Sequence, residues 1–246
     1  MTTAEWISLG SSIGALAAAS ISLFTLLELF KQRRASYLPD LCLVQKRFQL
    51  KQSDYMDIKL PLIWHDVNGE QSSFMYFATI ELLNVGFGAA KNISVKWEFD
   101  ELKFVEAVNQ LAQETHQPFF ITENDGTLRV NVKEGKGCSG STKHSFNQFE
   151  YLLPLNHGST GREISVPSSY TMLTSIYLSL FAVKSPYNDF CFDDVNIPRL
   201  QLKLQYYDIG KRKIRSSHLL ECYVGSISKD DKDQPTGFGV TLRECS

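Results

Sequence analysis

From Trp6 to Leu27 the chain runs for 22 residues without a charged side chain, and after Lys31 it breaks into short stretches of alternating apolar and polar positions. As a helix the uncharged run is about 33 Å long, against a bilayer hydrocarbon core of about 30 Å. Extended to Phe30, it predicts one transmembrane helix. A cleaved signal would carry a positive segment ahead of a shorter apolar core, whereas here Glu5 precedes the run and no lysine or arginine does. Lys31, Arg33 and Arg34 come directly after it. Basic residues gather on the cytoplasmic flank of a span, so the expected placement is the cell (inner) membrane, N-terminus outside and C-terminal part cytoplasmic. Glu28 lies one turn from this flank, within reach of water or an ion pair. Gly10, Gly14, Ala18 and Ser22 recur every four residues, beside a second stripe of Ser11, Ala15 and Ala19. Small residues at this spacing let two helix backbones approach, which suggests a homo-oligomer; a plain Ala/Ser-rich span is the alternative.

Residues 35–40 read as a connector ended by Pro39, because the residue before a proline avoids the helical region. Strands are expected at Leu41–Leu43, extending towards Phe48, and at Ile58–Trp64. An Asn68-Gly69 turn then folds the chain back into Phe74–Leu83. Both faces of that return strand are apolar, as in a central strand. Ile93, Val95, Trp97 and Phe99 share one face of the next strand, after a bend at Gly86 and Gly88. With the preceding strand it suggests a sandwich hairpin.

The pattern Asn84-x-Gly86-x-Gly88-x-Ala90-x-Asn92, with an alternating strand after it, resembles immunoglobulin-like domains of the adhesion and cell-surface type. The whole layout is similar to uncharacterised bacterial proteins with one membrane helix, a basic flank and a β-rich cytoplasmic domain. The resemblance implies a sandwich fold with a binding or sensing role. It carries no site residues.

Glu101–Glu114 breaks the β pattern. Leu102, Val105, Val108 or Ala112, and Leu111 recur at helical spacing, behind acidic residues in the first turn. A hairpin is expected from 118–122 to 127–133 across Asn124-Asp125-Gly126, then a loop over Gly135–Thr142 and strands at Tyr151–Leu155 and Glu163–Val166. Leu173–Val183 is apolar on both faces, and the preceding proline and serines favour a helix over Ser168–Leu180 rather than a buried strand. Leu200–Tyr206 and Ile214–Val224 alternate around a turn at 208–211 and should close the sandwich. The domain organisation is then 1–34 anchor, 35–40 connector, 41–227 β-domain with one or two inserted helices, and 228–246 polar loop and tail.

Composition adds little: 43% hydrophobic and 12% aromatic residues are globular values, and a net charge of -2 gives no global attraction to nucleic acid. Nucleic acid is therefore not the expected partner. Cys42, Cys138, Cys191, Cys222 and Cys245 are odd in number and form no CxxC pair, so they read as free thiols. The inside orientation leaves the Asn92-Ile93-Ser94 sequon unglycosylated. In Gly135–Thr142 the lysine of a phosphate loop is missing after Gly140, with Lys143 displaced beyond the hydroxyls, and Ser139 is not in a Gly-x-Ser-x-Gly elbow. His65, His116, His144, His157 and His218 show no ligand spacing. Asp189, Asp193 and Asp194 flank Phe190-Cys191-Phe192, where a solvated loop is the simpler reading than acid/base or cation chemistry. Lys211, Arg212, Lys213 and Arg215 crowd the last turn beside Tyr206 and Tyr207, a mixture that suits RNA, DNA or an anionic leaflet, although turns are also simply polar.

No catalytic, cofactor or metal set emerges from these patterns. The expectation is a membrane-tethered, non-enzymatic interaction or sensing module that meets an unidentified protein partner. The alternative is a membrane-perturbing effector of a bacterial defence or toxin system.

Overall fold

The structure is a computed structural model that describes residues 2–35, 37–51, 63–67, 78–124, 127–132, 139–141, 147–158, 160–184, 192–229 and 235–245. In chain order the elements are helix α1 (Thr3–Ala35), then strands β1 (Leu41–Leu43), β2 (Lys46–Lys51), β3 (Ile63–Asp66), β4 (Thr79–Asn84) and β5 (Ala90–Glu98). Helix α2 (Glu101–Glu114) leads into β6 (Phe119–Asn124), β7 (Thr127–Val132), β8 (Ser139–Ser141), β9 (Asn147–Leu152) and β10 (Arg162–Ser165). Helix α3 (Ser168–Lys184) precedes β11 (Leu200–Tyr207), β12 (Lys213–Lys229) and β13 (Pro235–Glu244).

The body is mainly β and is organised by a curled, seven-stranded antiparallel sheet in the order β3-β2-β13-β12-β11-β5-β9. Period-two alternation sets its register, because successive side chains point to opposite faces. Leu200, Leu202, Leu204 and Tyr206 of β11 are buried, as are Val95 and Trp97 of β5 and Phe238, Val240 and Leu242 of β13. Lys96, Lys203, Arg215 and Arg243 alternate with them and stay exposed. A second antiparallel sheet, β1-β4-β10, joins the same hydrophobic core, and the indole of Trp97 stitches the two by donating to Ser165 O at 2.9 Å. The third sheet is β6-β7-β8.

Helix α3 is the unusual component. Residues 169–176 are all buried, so the helix is surrounded rather than laid on one face. Ser175 is met both within the core and on the helix itself: Trp64 Nε1 donates to Ser175 Oγ at 2.9 Å, and Ser175 Oγ donates to Thr171 O at 2.9 Å. Tyr170, fully buried, donates its hydroxyl to Pro198 O at 2.9 Å. Helix α2 starts on an Asp100 cap and packs Phe104 against Tyr170 and Tyr177, with ring centroids 6.1 and 5.9 Å apart.

The helix over 101–114, the β6–β7 hairpin, the central position of β4 in its sheet and the helical state of Ser168–Leu180 agree with the sequence pattern. Other expectations need correction. The buried face of α2 is Phe104, Val108, Leu111 and Ala112, while Leu102 is exposed. Strands β3 and β4 form no hairpin, because β3 pairs with β2 and β4 with β1 and β10; residues 58–62, 68–69 and 74–77 lie outside the described residues. Strands β4 and β5 likewise belong to different sheets. Residues 139–141 of the expected loop form β8 on β7. Hairpin β11–β12, expected to close the sandwich, lies inside the large sheet, flanked by β5 and β13. Most of the expected C-terminal tail is β13, held between β12 and β2.

Candidate functional site: the anchor and the rim beside it

Helix α1 has 33 residues, about 50 Å, and among the described residues one helical stretch, Trp6–Arg33, is long and apolar enough to cross a membrane. The protein body covers none of it, and Ile13, Leu16, Ile21, Leu23 and Phe24 are all exposed. A helix apolar on all sides needs an apolar surrounding. Four of its hydroxyls are satisfied within the helix: Ser12, Ser20, Ser22 and Thr25 each donate to the carbonyl four residues back at 2.8–2.9 Å. Such self-satisfaction suits a medium without hydrogen-bonding solvent.

Gly10 and Gly14 face open space, with no atom within 4 Å of where a Cβ would sit. Ala18 and Ser22 continue that stripe. At the other end Lys31 pairs with Glu28 at 2.9 Å, so this acid is neutralised on its own helix. Arg33 is exposed, and of Arg34 the backbone alone is described.

The segment just beyond α1 is clasped by the body. Asn84, buried to 1% exposure, spends its whole side-chain amide on backbone groups. Its Oδ1 accepts from Asp40 N and Gly86 N at 3.1 Å, and its Nδ2 donates to Gly88 O at 2.7 Å and Leu152 O at 3.0 Å. Gly86 and Gly88 let the 85–88 loop press directly on the backbone of 37–40, since a Cβ at either would collide with Leu38 or Tyr37 carbonyls. Val85 N donates to Asp40 O at 2.8 Å, and Phe87 N to Leu38 O at 3.2 Å.

The β11–β12 turn reaches the same place. Arg33, Tyr37, Asp208, Ile209 and Gly210 line one surface pocket. Asp208 is buried and builds the turn, its Oδ1 accepting from Arg212 N at 2.7 Å, while Lys211 takes a left-handed φ of 64°. Lys211, Arg212, Lys213 and Arg215 are exposed. Tyr206 points into the core at 4% exposure, so it offers no ring for stacking on a nucleic-acid base, contrary to the interleaving expected from sequence. The convergence of 37–40, 85–88 and 208–212 escapes a reading of the sequence because the three segments are far apart in it. The Asn-x-Gly-x-Gly spacing is its one local signal.

A second polar surface covers the outer face of β5, β11 and β12, where Lys96, Glu98, Lys203 and Arg215 line a shallow groove. Lys203, hydrogen-bonded to Glu98, and then Lys96 at 2.9 Å hold the Glu98 carboxyl down at about 2. The groove therefore carries one acid committed to two lysines.

The remaining candidates are not brought together. Asp189 lies outside the described residues; Asp194, with Asp193, sits in a short turn and is exposed. Lys143 and residues 135–138 are likewise outside. His65, His116 and His218 are on separate elements, His218 bonded through Nδ1 to Glu244 at 2.8 Å, and His144 and the His157 side chain lie outside the described residues. Among the described residues no three metal-ligating side chains converge. Burial raises the thiols of Cys42, Cys245 and Cys222, the last to about 12, so none is an activated thiolate. Compared with known proteins, the chain matches no family model, no curated protein and no solved structure.

Proposed function

We propose that the chain is a membrane-tethered, non-enzymatic interaction module. Helix α1 anchors it with Lys31, Arg33 and Arg34 on the cytoplasmic side, the helices self-associate along Gly10, Gly14, Ala18 and Ser22, and the cytoplasmic body recognises a protein partner. The observation that carries this reading is the wholly uncovered apolar surface of α1, open along the glycine stripe. Two antiparallel sheets sharing one core support an immunoglobulin-like view of the body, with α3 as a buried helix that a plain sandwich lacks.

The test is the mass of the full chain in detergent by light scattering, with wild type compared against Gly10→Leu combined with Gly14→Leu. The reading expects an oligomer that becomes a monomer in the double variant, together with a protein partner recovered by both. A wild-type monomer, or a chain washed from membranes by alkaline carbonate, overturns it.

A further inference from the structure

The loops gathered at the exit of α1 form a surface with a definite chemistry. Tyr37, Val85, Phe87 and Ile209 are exposed there by 61, 48, 65 and 52%. Each sits at a loop or turn tip rather than on a strand, and each belongs to a segment tied to residues 37–40 or to the pocket shared with Arg33. Basic side chains share this rim with one exposed acid, Asp40: Lys211, Arg212 and Lys213 follow Ile209 on the turn, and Lys91 is exposed and in register with Tyr207. The turn's own acid, Asp208, is buried and engaged with backbone.

Geometry brings this surface within reach of the headgroups. A bilayer is about 40–45 Å thick including headgroups, and the about 50 Å of α1 covers that depth. Leu38 lies three residues beyond Ala35, within about 10 Å of the helix end. Loop 85–88, hydrogen-bonded to Leu38 and Asp40, cannot stand further off. Apolar tips and a cationic turn on one rim within reach of the headgroups fit an anionic phospholipid surface: the rings and aliphatic tips enter the interface while the cations meet phosphates.

We infer that Tyr37, Phe87, Ile209 and the Lys211-Arg212-Lys213 turn form a second contact with the membrane, docking the body on anionic headgroups of the bilayer that α1 crosses. This rests on the proposed anchoring by α1. Each cation near a charged leaflet is worth about fivefold in local binding, so the three of the turn together amount to roughly a hundredfold.

The test uses the full chain in vesicles of phosphatidylcholine alone or with 30 mol% phosphatidylserine, a composition set at roughly the anionic content that gives inner-leaflet potentials. Ile209→Trp is placed in a Trp6→Phe background, where the remaining indoles of Trp64 and Trp97 are fully buried. Expected is quenching of the new indole by headgroup-proximal spin-labelled lipid in the anionic vesicles. It should fall to the level seen in phosphatidylcholine when Lys211→Asn, Arg212→Gln and Lys213→Gln are combined; asparagine tolerates the left-handed backbone at 211. An unquenched indole in carbonate-resistant chain overturns this inference and leaves the anchor standing. Equal quenching in both vesicles, unaffected by the triple change, overturns the role given to the cations. Release by carbonate overturns the anchor and the inference together.

Discussion

Helices α1 and α3 are both apolar on every side, both rich in serine and threonine, and they meet that condition in opposite ways. Helix α3, 17 residues long, is wrapped by the body, with residues 169–176 all buried. Helix α1, 33 residues long, has its apolar stretch covered by none of it. Hydroxyls on both are turned back onto carbonyls four residues earlier, at Ser175 and Ser179 in α3 and at Ser12, Ser20, Ser22 and Thr25 in α1. The internal solution to polarity is therefore the same, and the difference is external. In α3 a specific donor, the Trp64 indole, uses a hydroxyl, whereas α1 keeps its surface undirected. Helix composition alone does not distinguish the two; length and the presence of specific partners do.

A buried charge separates the two helices most sharply. Leu173→Asp in α3 should cost at least about 4 kcal/mol, a large part of a typical total of about 5–15, and abolish the near-UV circular dichroism of the detergent-purified chain. Leu16→Asp in α1 should leave that spectrum intact and weaken membrane insertion by about 2.5–3.5 kcal/mol, read as carbonate extractability. If the second change also erased the near-UV signal, the contrast between the helices would be gone. Asn84→Ala strips four backbone groups of their partner and should lower stability by about 2–3 kcal/mol in urea unfolding, with membrane retention unchanged. Ser175→Ala leaves the Trp64 indole without an acceptor, for about 1–2 kcal/mol, while Ser20→Ala should be near zero in the same assay.

The smallest effect belongs to the exposed sheet face. Lys203, then Lys96, hold the folded pKa of Glu98 at about 2, below its ordinary 4.5. A depressed folded pKa adds stability above the unfolded value, and that share is lost as pH falls from about 4.5 towards 2. Glu98→Gln should flatten the acid limb of stability in that window alone, measured by urea midpoints against pH. An unchanged limb would mean that solvent screens the lysines fully.

Local patterns carry much of the architecture. The strict alternation of Leu200 to Tyr206, the glycine-centred turn between β6 and β7, and the helical spacing after Asp100 are each written within a few residues. Long-range pairing is where the local patterns fail. An Asn-Gly turn says that the chain reverses, and it does not say which sheet receives the next strand, so β3 and β4 pair in the pattern and separate in space. Strand β13 is concealed by Gly237 and Gly239 and by a polar approach, although Phe238, Val240 and Leu242 alternate as a core strand must. The rim at the exit of α1 assembles tips from three distant segments, and Asn84 shows itself only as part of a motif whose partners lie up to 68 residues away.

The clasp around residues 38–40 has a mechanical consequence. Two positions, 36 and 37, separate the end of α1 from backbone that Asn84, Gly86 and Gly88 hold fast. So short a joint works as a tether: three residue steps span at most about 10 Å, so whatever surrounds the end of the helix has the clasped backbone within that distance of it.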